Sequence, residues 1–238
     1  MGNGFQFIDI IFLAMVSVFL ALRLRNVLGR RDGHEGGYRD PFRPAPAPER
    51  RPDSPAAEPD SDNIVQLPNR GEDSKAAERI IKAAHGNVTL AEGMTQIKLA
   101  DPNFDPDAFA NGARDAFEAI LEAFAKGDLG DVKSVLSPEV YANFAQAIKA
   151  REEAGEKFEN TLIGIRSAAI DQAYMDGRNA VVAIRFTSDQ INVTRDREGQ
   201  VVSGDPTAVT AVIDLWTFQR DTRSRNPNWT LVATESVE

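Results

Sequence analysis

Residues 5–22 read FQFIDIIFLAMVSVFLAL, a run of 18 residues whose only ionisable side chain is Asp9. As a helix this run extends roughly 27 Å, close to the roughly 30 Å of a bilayer's hydrocarbon core. It reads as one transmembrane helix, with the anchor spanning residues 5–24. Arg23, Arg25, Arg30 and Arg31 follow it, while no basic side chain precedes Phe5. The positive-inside rule then places the downstream chain in the cytoplasm and residues 1–4 outside. A cleaved signal peptide needs its positive charges before the apolar stretch, and here they lie on the other flank. A buried core helix would need a packed partner, and the segment that follows is rich in proline. Asp9, in the first turns, meets a favourable helix dipole and is within reach of the interface.

Eight of the thirteen prolines lie between residues 31 and 70, in stretches such as PFRPAPAPERRPDSPAAEP with few apolar side chains to bury. Residues 25–74 are therefore expected to form an extended, disordered tether. Spacer is the stronger reading over docking ligand, because no aromatic-flanked proline motif is evident. The apolar patch IVQLP at 64–68 is a candidate to pack on the folded domain.

Charge divides along the same boundaries. Residues 23–51 carry eight arginines against four acids, whereas residues 71–238 carry 27 acids against 18 bases within a total net charge of -9. An acidic globular part repels phosphate backbones and anionic bilayer surfaces, which disfavours nucleic acid as a partner. Only the arginines beside the anchor are placed to attract lipid. The chain has no cysteine, which removes disulfides, thiolate metal sites and cysteine nucleophiles from consideration.

Residues 75–238 read as one folded domain. SKAAERIIKAAHG, 74–86, has the grammar of a short helix stopped by Gly86, with His85 in its last turn. A firmer helix has Asp105 as cap, Pro106 as first residue and Gly127 as stop, with Phe109, Ala113, Ala116, Phe117, Ile120, Leu121 and Phe124 on one face. Ser137, Pro138 and Gly155 frame another, striped by Val140, Tyr141, Phe144 and Ile148. Downstream, five segments rich in β-branched residues read as antiparallel strands, with turns at Asp176-Gly177, Glu198-Gly199 and Asn226-Pro227-Asn228. Val182, Ile184 and Phe186, and Val212, Trp216 and Phe218, alternate to give the sheet an apolar face for the helices. Helices followed by a strand meander predict an α+β fold.

AFAKGDLGDVKSVLSPEVYANFAQAI at 123–148, then AVVAIRF, RDREGQVVSGDP and DLWTFQRDTRSRNPNWTLVAT, resemble the C-terminal domain of the mitochondrial inner-membrane import subunit Tim44 and its bacterial relatives. The resemblance runs from about residue 75 to 238. It implies a fold like nuclear transport factor two, a cone of helices wrapped by a bent antiparallel sheet with an apolar pocket between. It also implies a single-anchor protein of the bacterial inner membrane. Phe117, Phe124, Tyr141, Phe144, Phe186 and Trp216 are the expected pocket residues.

Little in the sequence points to catalysis. DPNFDPD at 101–107 has the opening spacing of a calcium loop, but Pro106 and Gly112 stand where the turn glycine and closing glutamate belong, so no metal is expected there. His34 and His85 both precede the cone. Asp171, Tyr141, Tyr174 and Asp214 could supply an acid–base pair, with structural roles the stronger expectation. Nucleophile elbows, phosphate loops and dinucleotide fingerprints are missing. Arg220, Arg223 and Arg225 form the most basic loop of the domain, read as a solvated hairpin end in preference to a lipid-phosphate contact.

The expected function is that of a non-enzymatic adaptor without cofactor, active in protein transport, translocation or assembly at the membrane's cytoplasmic face. Its expected partners are lipid through the anchor, and membrane or translocating proteins with a chaperone among the candidates. The alternatives are a module binding a lipid or an apolar small molecule in the cone and, behind it, a pocket isomerase or dehydratase.

Overall fold

The computed structural model describes residues 70–237. The apolar run, the proline-rich segment, and Arg23, Arg25, Arg30 and Arg31 lie outside the described residues. Among the described residues, no helix is long and apolar enough to cross a membrane.

Four helices come first: α1, Arg70–Ala83; α2, Val88–Ala100; α3, Pro106–Lys126; and α4, Pro138–Ala154, with one turn of 3-10 helix at Lys133–Val135 between the last two. The boundaries of α3 and α4 follow from local chemistry. Asp105 accepts the Ala108 N–H at 2.9 Å and Ser137 accepts the Val140 N–H at 3.1 Å, each with proline in the first turn. Gly127 (φ 80°) and Gly155 (φ 72°) end the two helices in the left-handed region. The first helix stops earlier than its sequence predicts, at Ala83. His85 is not in its last turn but in the turn beyond, itself at φ 48° beside Gly86 at 84°.

Helix α2 is a finding that the sequence reading did not contain. Asn87 caps it by accepting the Leu90 N–H at 3.1 Å, and Leu90, Met94 and Ile97 are buried along one side. Gly93 sits between them because the helix backbone lies against β1. A Cβ at this position would be 1.8 Å from the Ala173 carbonyl oxygen.

Five antiparallel strands follow: β1, Lys157–Asp176; β2, Asn179–Arg195; β3, Val201–Gly204; β4, Thr210–Asp221; and β5, Thr230–Val237. They are ordered β1-β2-β4-β5, with β3 paired to the end of β2. The register of β1 against β2 shifts at three places, between Leu162 and Gly164, Ile165 and Ser167, and Ile170 and Gln172. Such bulges bend a strand, and here they curve the long β1–β2 ribbon into a trough for the helices. At the other side of the sheet, Leu136 makes a parallel bridge with Leu231, and the Ser137 N–H donates to the Leu231 carbonyl at 2.9 Å.

Helix α3 crosses the inner face of the sheet, and its aromatic side chains mark its course. Phe109 meets Phe218 at 5.9 Å and Trp229 at 4.9 Å, Phe117 meets Phe186 and Trp216, and Phe124 meets Phe158 at 6.1 Å. The inner face at this level is Val182, Ile184 and Phe186 beside Trp216 and Phe218, all buried, as the alternation of the two strands predicts. The molecule is an α+β fold with helices on one face of a curved antiparallel sheet.

Candidate functional site

The inner face of the sheet changes character halfway along β2. After Phe186 the inward positions are Ser188, Gln190 and Asn192. Ser188 and Gln190 are buried, and Gln190 Nε2 donates to Ser188 Oγ at 2.8 Å. Asn160 on β1 joins them, its Nδ2 donating to Gln190 Oε1 at 2.7 Å and to Asn192 Oδ1 at 2.6 Å. Buried amides are costly unless they are paired, and this ladder pairs them across two strands.

On β4 the register partner of Phe186 is Asp214, a buried carboxyl on the same face. Ser236 of β5 donates to it at 2.7 Å. Burial pushes the Asp214 carboxyl above the ordinary aspartate value of 3.8, and the Ser236 hydrogen bond only partly opposes that. A polar band thus runs from β5 through β4 and β2 to β1, beside an apolar floor.

At the β1 end this band opens into a groove of about 650 Å³ between α3 and the first half of β1. Leu121, Phe158, Leu162 and Ile163 give it apolar walls, Asn160 contributes an amide, and Glu118, Glu122, Glu159, Lys126 and Lys157 charge its rim. Glu159 pairs with Lys157 and with Arg195, both at 3.1 Å, and Glu122 pairs with Lys126. A second groove of about 530 Å³ lies between α1 and α2, lined by Ile81, Ala84, Val88 and Ala91 among others.

The six aromatic residues expected around one pocket fall into three groups. Phe117, Phe186 and Trp216 pack on one another, the first two stacked at 4.3 Å with planes 26° apart and Trp216 at 4.7 Å from Phe117. Phe124 and Phe144 meet at 5.3 Å near Phe158, with the Arg151 guanidinium 5.3 Å from the Phe124 ring. Arg151 donates to the Phe124 carbonyl at 3.0 Å, and burial lowers its pKa. Tyr141 lies apart, with Lys133 Nζ 5.3 Å from its ring centre. None of the six lines either groove described above.

The other singled-out residues are also dispersed. Asp171 receives Arg185 at 2.9 and 3.1 Å on the outer face, opposite to the face that carries Asp214. Tyr174 is exposed. Asp105 caps α3 and takes Arg79, so although burial works against its charge, the Ala108 amide and the guanidinium hold its carboxyl below 3.8. Asp101 turns inward to Arg220, which corrects the reading of Arg220 as a surface-loop residue: its side chain is 12% exposed, while Arg223 and Arg225 are exposed. Among the described residues, no three His, Asp or Glu side chains gather closely enough to hold a metal ion. The sequence reading missed the amide ladder. Its signal was present in the alternation Ser188, Gln190, Asn192, which continues the inward series that begins with three apolar residues.

The comparisons with known proteins bear on this same domain. A family model described as Tim44-like domain matches residues 90–236. The chain belongs to the Tim44-like domain family. Mitochondrial import inner membrane translocase subunits TIM44 of Mus musculus and Homo sapiens are 25% and 27% identical to it over 169 residues, which is 71% of this chain and 37% of each relative. The chain thus spans little more than a third of the mitochondrial Tim44 relatives' length. An uncharacterized protein of Rickettsia prowazekii is 25% identical over 181 residues, covering 75% of this chain and 74% of that one. Among solved structures, the intermembrane space region of chloroplast protein ARC6 aligns over 54% of this chain and 95% of its own, at 12% identity and a TM-score of 0.38. That likeness is too weak to bear on the Tim44-like domain's fold or function.

Proposed function

We propose that the chain is a non-enzymatic adaptor of the bacterial inner membrane, held by the helix at 5–22 and presenting its Tim44-like domain to protein partners on the cytoplasmic face. The observation that carries this reading is the family match over 90–236, in a domain whose mitochondrial relatives are named as import translocase subunits. Its work would lie in protein transport, translocation or assembly. Anchor and tether raise the local concentration of the domain beside membrane partners, on the order of the millimolar range for a flexible linker. The bent sheet with helices on its inner face supports the likeness to nuclear transport factor two.

Carriage of an apolar molecule has less support, because Phe117, Phe186 and Trp216 already fill one another's contacts. Pocket catalysis by Asp171 and Asp214 has less still, since the sheet separates them.

Photocrosslinking in native membranes, with the full chain and with a chain ending before residue 75, tests the proposal. The adaptor reading expects crosslinks to membrane or translocating proteins that require the domain. Crosslinks to lipid alone would overturn it. A bound apolar compound in native mass spectrometry, with no protein crosslinks, would replace it by the carrier reading.

A further inference from the structure

The outer edge of β1 is treated differently along its two halves. β1 ends the sheet order, so one side pairs with β2 and, among the described residues, the other has no strand beside it. Along the second half that side meets α2, whose Gly93 backbone rests against the Ala173 carbonyl. Covering an edge with a helix is one of the devices that prevent strand addition. Along the first half, Lys157 to Gly164, the strand instead forms one wall of the groove beside α3. Its register with β2 is unbroken from Lys157 to Leu162, and no proline interrupts it. Unpaired N–H and C=O groups on a regular edge are matched best by another extended backbone.

The side chains define what that backbone would carry. Leu121 and Leu162 are half-buried and Ile163 is 56% exposed, leaving apolar surface at the groove. Glu122 and Glu159 have basic partners, whereas Glu118, on the rim contributed by α3, has no partner among the described residues. Asn160 in the groove is fixed by the amide ladder behind it, so this stretch of strand is held rigid.

We propose that this groove receives an extended segment of a second polypeptide as an added strand along Lys157 to Leu162, with apolar side chains on Leu121 and Ile163 and a basic one opposite Glu118. The inference rests on the adaptor reading and names the place where the adaptor grips its partner. Backbone pairing provides affinity with little sequence demand, while the apolar wall and Glu118 select among extended segments.

The test uses the full chain in detergent micelles and a fluorescent synthetic peptide of alternating valine and lysine. Two further peptides carry N-methyl groups on one or the other set of alternate residues, which removes the amide donors of a single edge. The expected result is saturable binding, abolished by methylation of one set and unaffected by the other. Glu118→Lys, an exposed substitution, is expected to weaken binding about tenfold with unchanged thermal unfolding.

Equal binding of both methylated peptides would overturn strand addition. Absence of peptide binding by a chain that still crosslinks to membrane proteins would overturn the groove and leave the adaptor reading standing. Self-association that Glu118→Lys abolishes, without peptide binding, would assign the edge to a second copy and overturn the proposal. Loss of all protein crosslinks in membranes would instead remove the reading on which it rests.

Discussion

Gly93 shows how one residue can hide an element from a sequence reading. Glycine inside a helix costs about 1 kcal/mol relative to alanine, so VTLAEGMTQIKLA looks weak as a helix until the β1 backbone beside it is known. The close approach reverses the usual preference. Gly93→Ala is expected to destabilise the domain by about 2–4 kcal/mol because the contact at 1.8 Å is to backbone that cannot rotate away. A lowered urea midpoint at unchanged slope would show it; an unchanged midpoint would mean that α2 stands farther from the sheet. Asp214 stood among the four possible acid–base residues of the sequence, but its partner was not legible, since that depends on β5 lying alongside with Ser236. Its folded pKa is raised above 3.8 by burial, so the stability it contributes below that value is lost as pH rises through the folded pKa. Asp214→Asn is therefore expected to raise stability at pH 7 by about 1 kcal/mol and to flatten the pH dependence above 3.8. Urea unfolding over a pH series checks both, and an unaltered pH slope would refute the assignment.

Among the elements, α3 and α4 were readable almost to the residue because cap, proline and closing glycine act within a single turn. The strands were readable as a set and less so in extent. β1 begins at Lys157, four residues before its first β-branched residue, Thr161, because the opening Lys157, Phe158, Glu159 and Asn160 carry no β-branched side chain to mark them as strand. What joins the helical layer to the sheet was not readable at all. Asp101, at the exit of α2, and Arg220, near the end of β4, form a pair exposed by only 4% and 12%, between residues far apart in sequence. Removing one member of a buried pair leaves an uncompensated charge. Arg220→Met is expected to cost about 3–5 kcal/mol, and adding Asp101→Asn should recover most of that loss. A double-mutant cycle by chemical denaturation decides the matter; additive losses would show that the two side chains act independently.

For the whole molecule, the division into apolar run, proline-rich segment and folded domain follows from composition alone. The intact chain is expected to stay with membrane vesicles through an alkaline carbonate wash, and a chain beginning at residue 75 is expected in the supernatant. Release of the intact chain would remove the anchor from the account. The family's fold was legible in the order of elements, whereas the placement of its aromatic side chains was not. Which rings touch depends on how α3 lies across the sheet, and that angle is set jointly by every residue in the interface.

The bridge between Leu136 and Leu231 has a consequence for the timing of synthesis. Pairings within the meander join neighbouring hairpins, but this one closes a loop of roughly a hundred residues and depends on β5, the last of the five described strands to be synthesised. The segment that leads into α4 must wait, its carbonyls and amides wet, until translation has delivered β5. Until then β4 has an edge that β5 will later cover, and an unpaired strand edge is where an unfinished domain is most prone to aggregate.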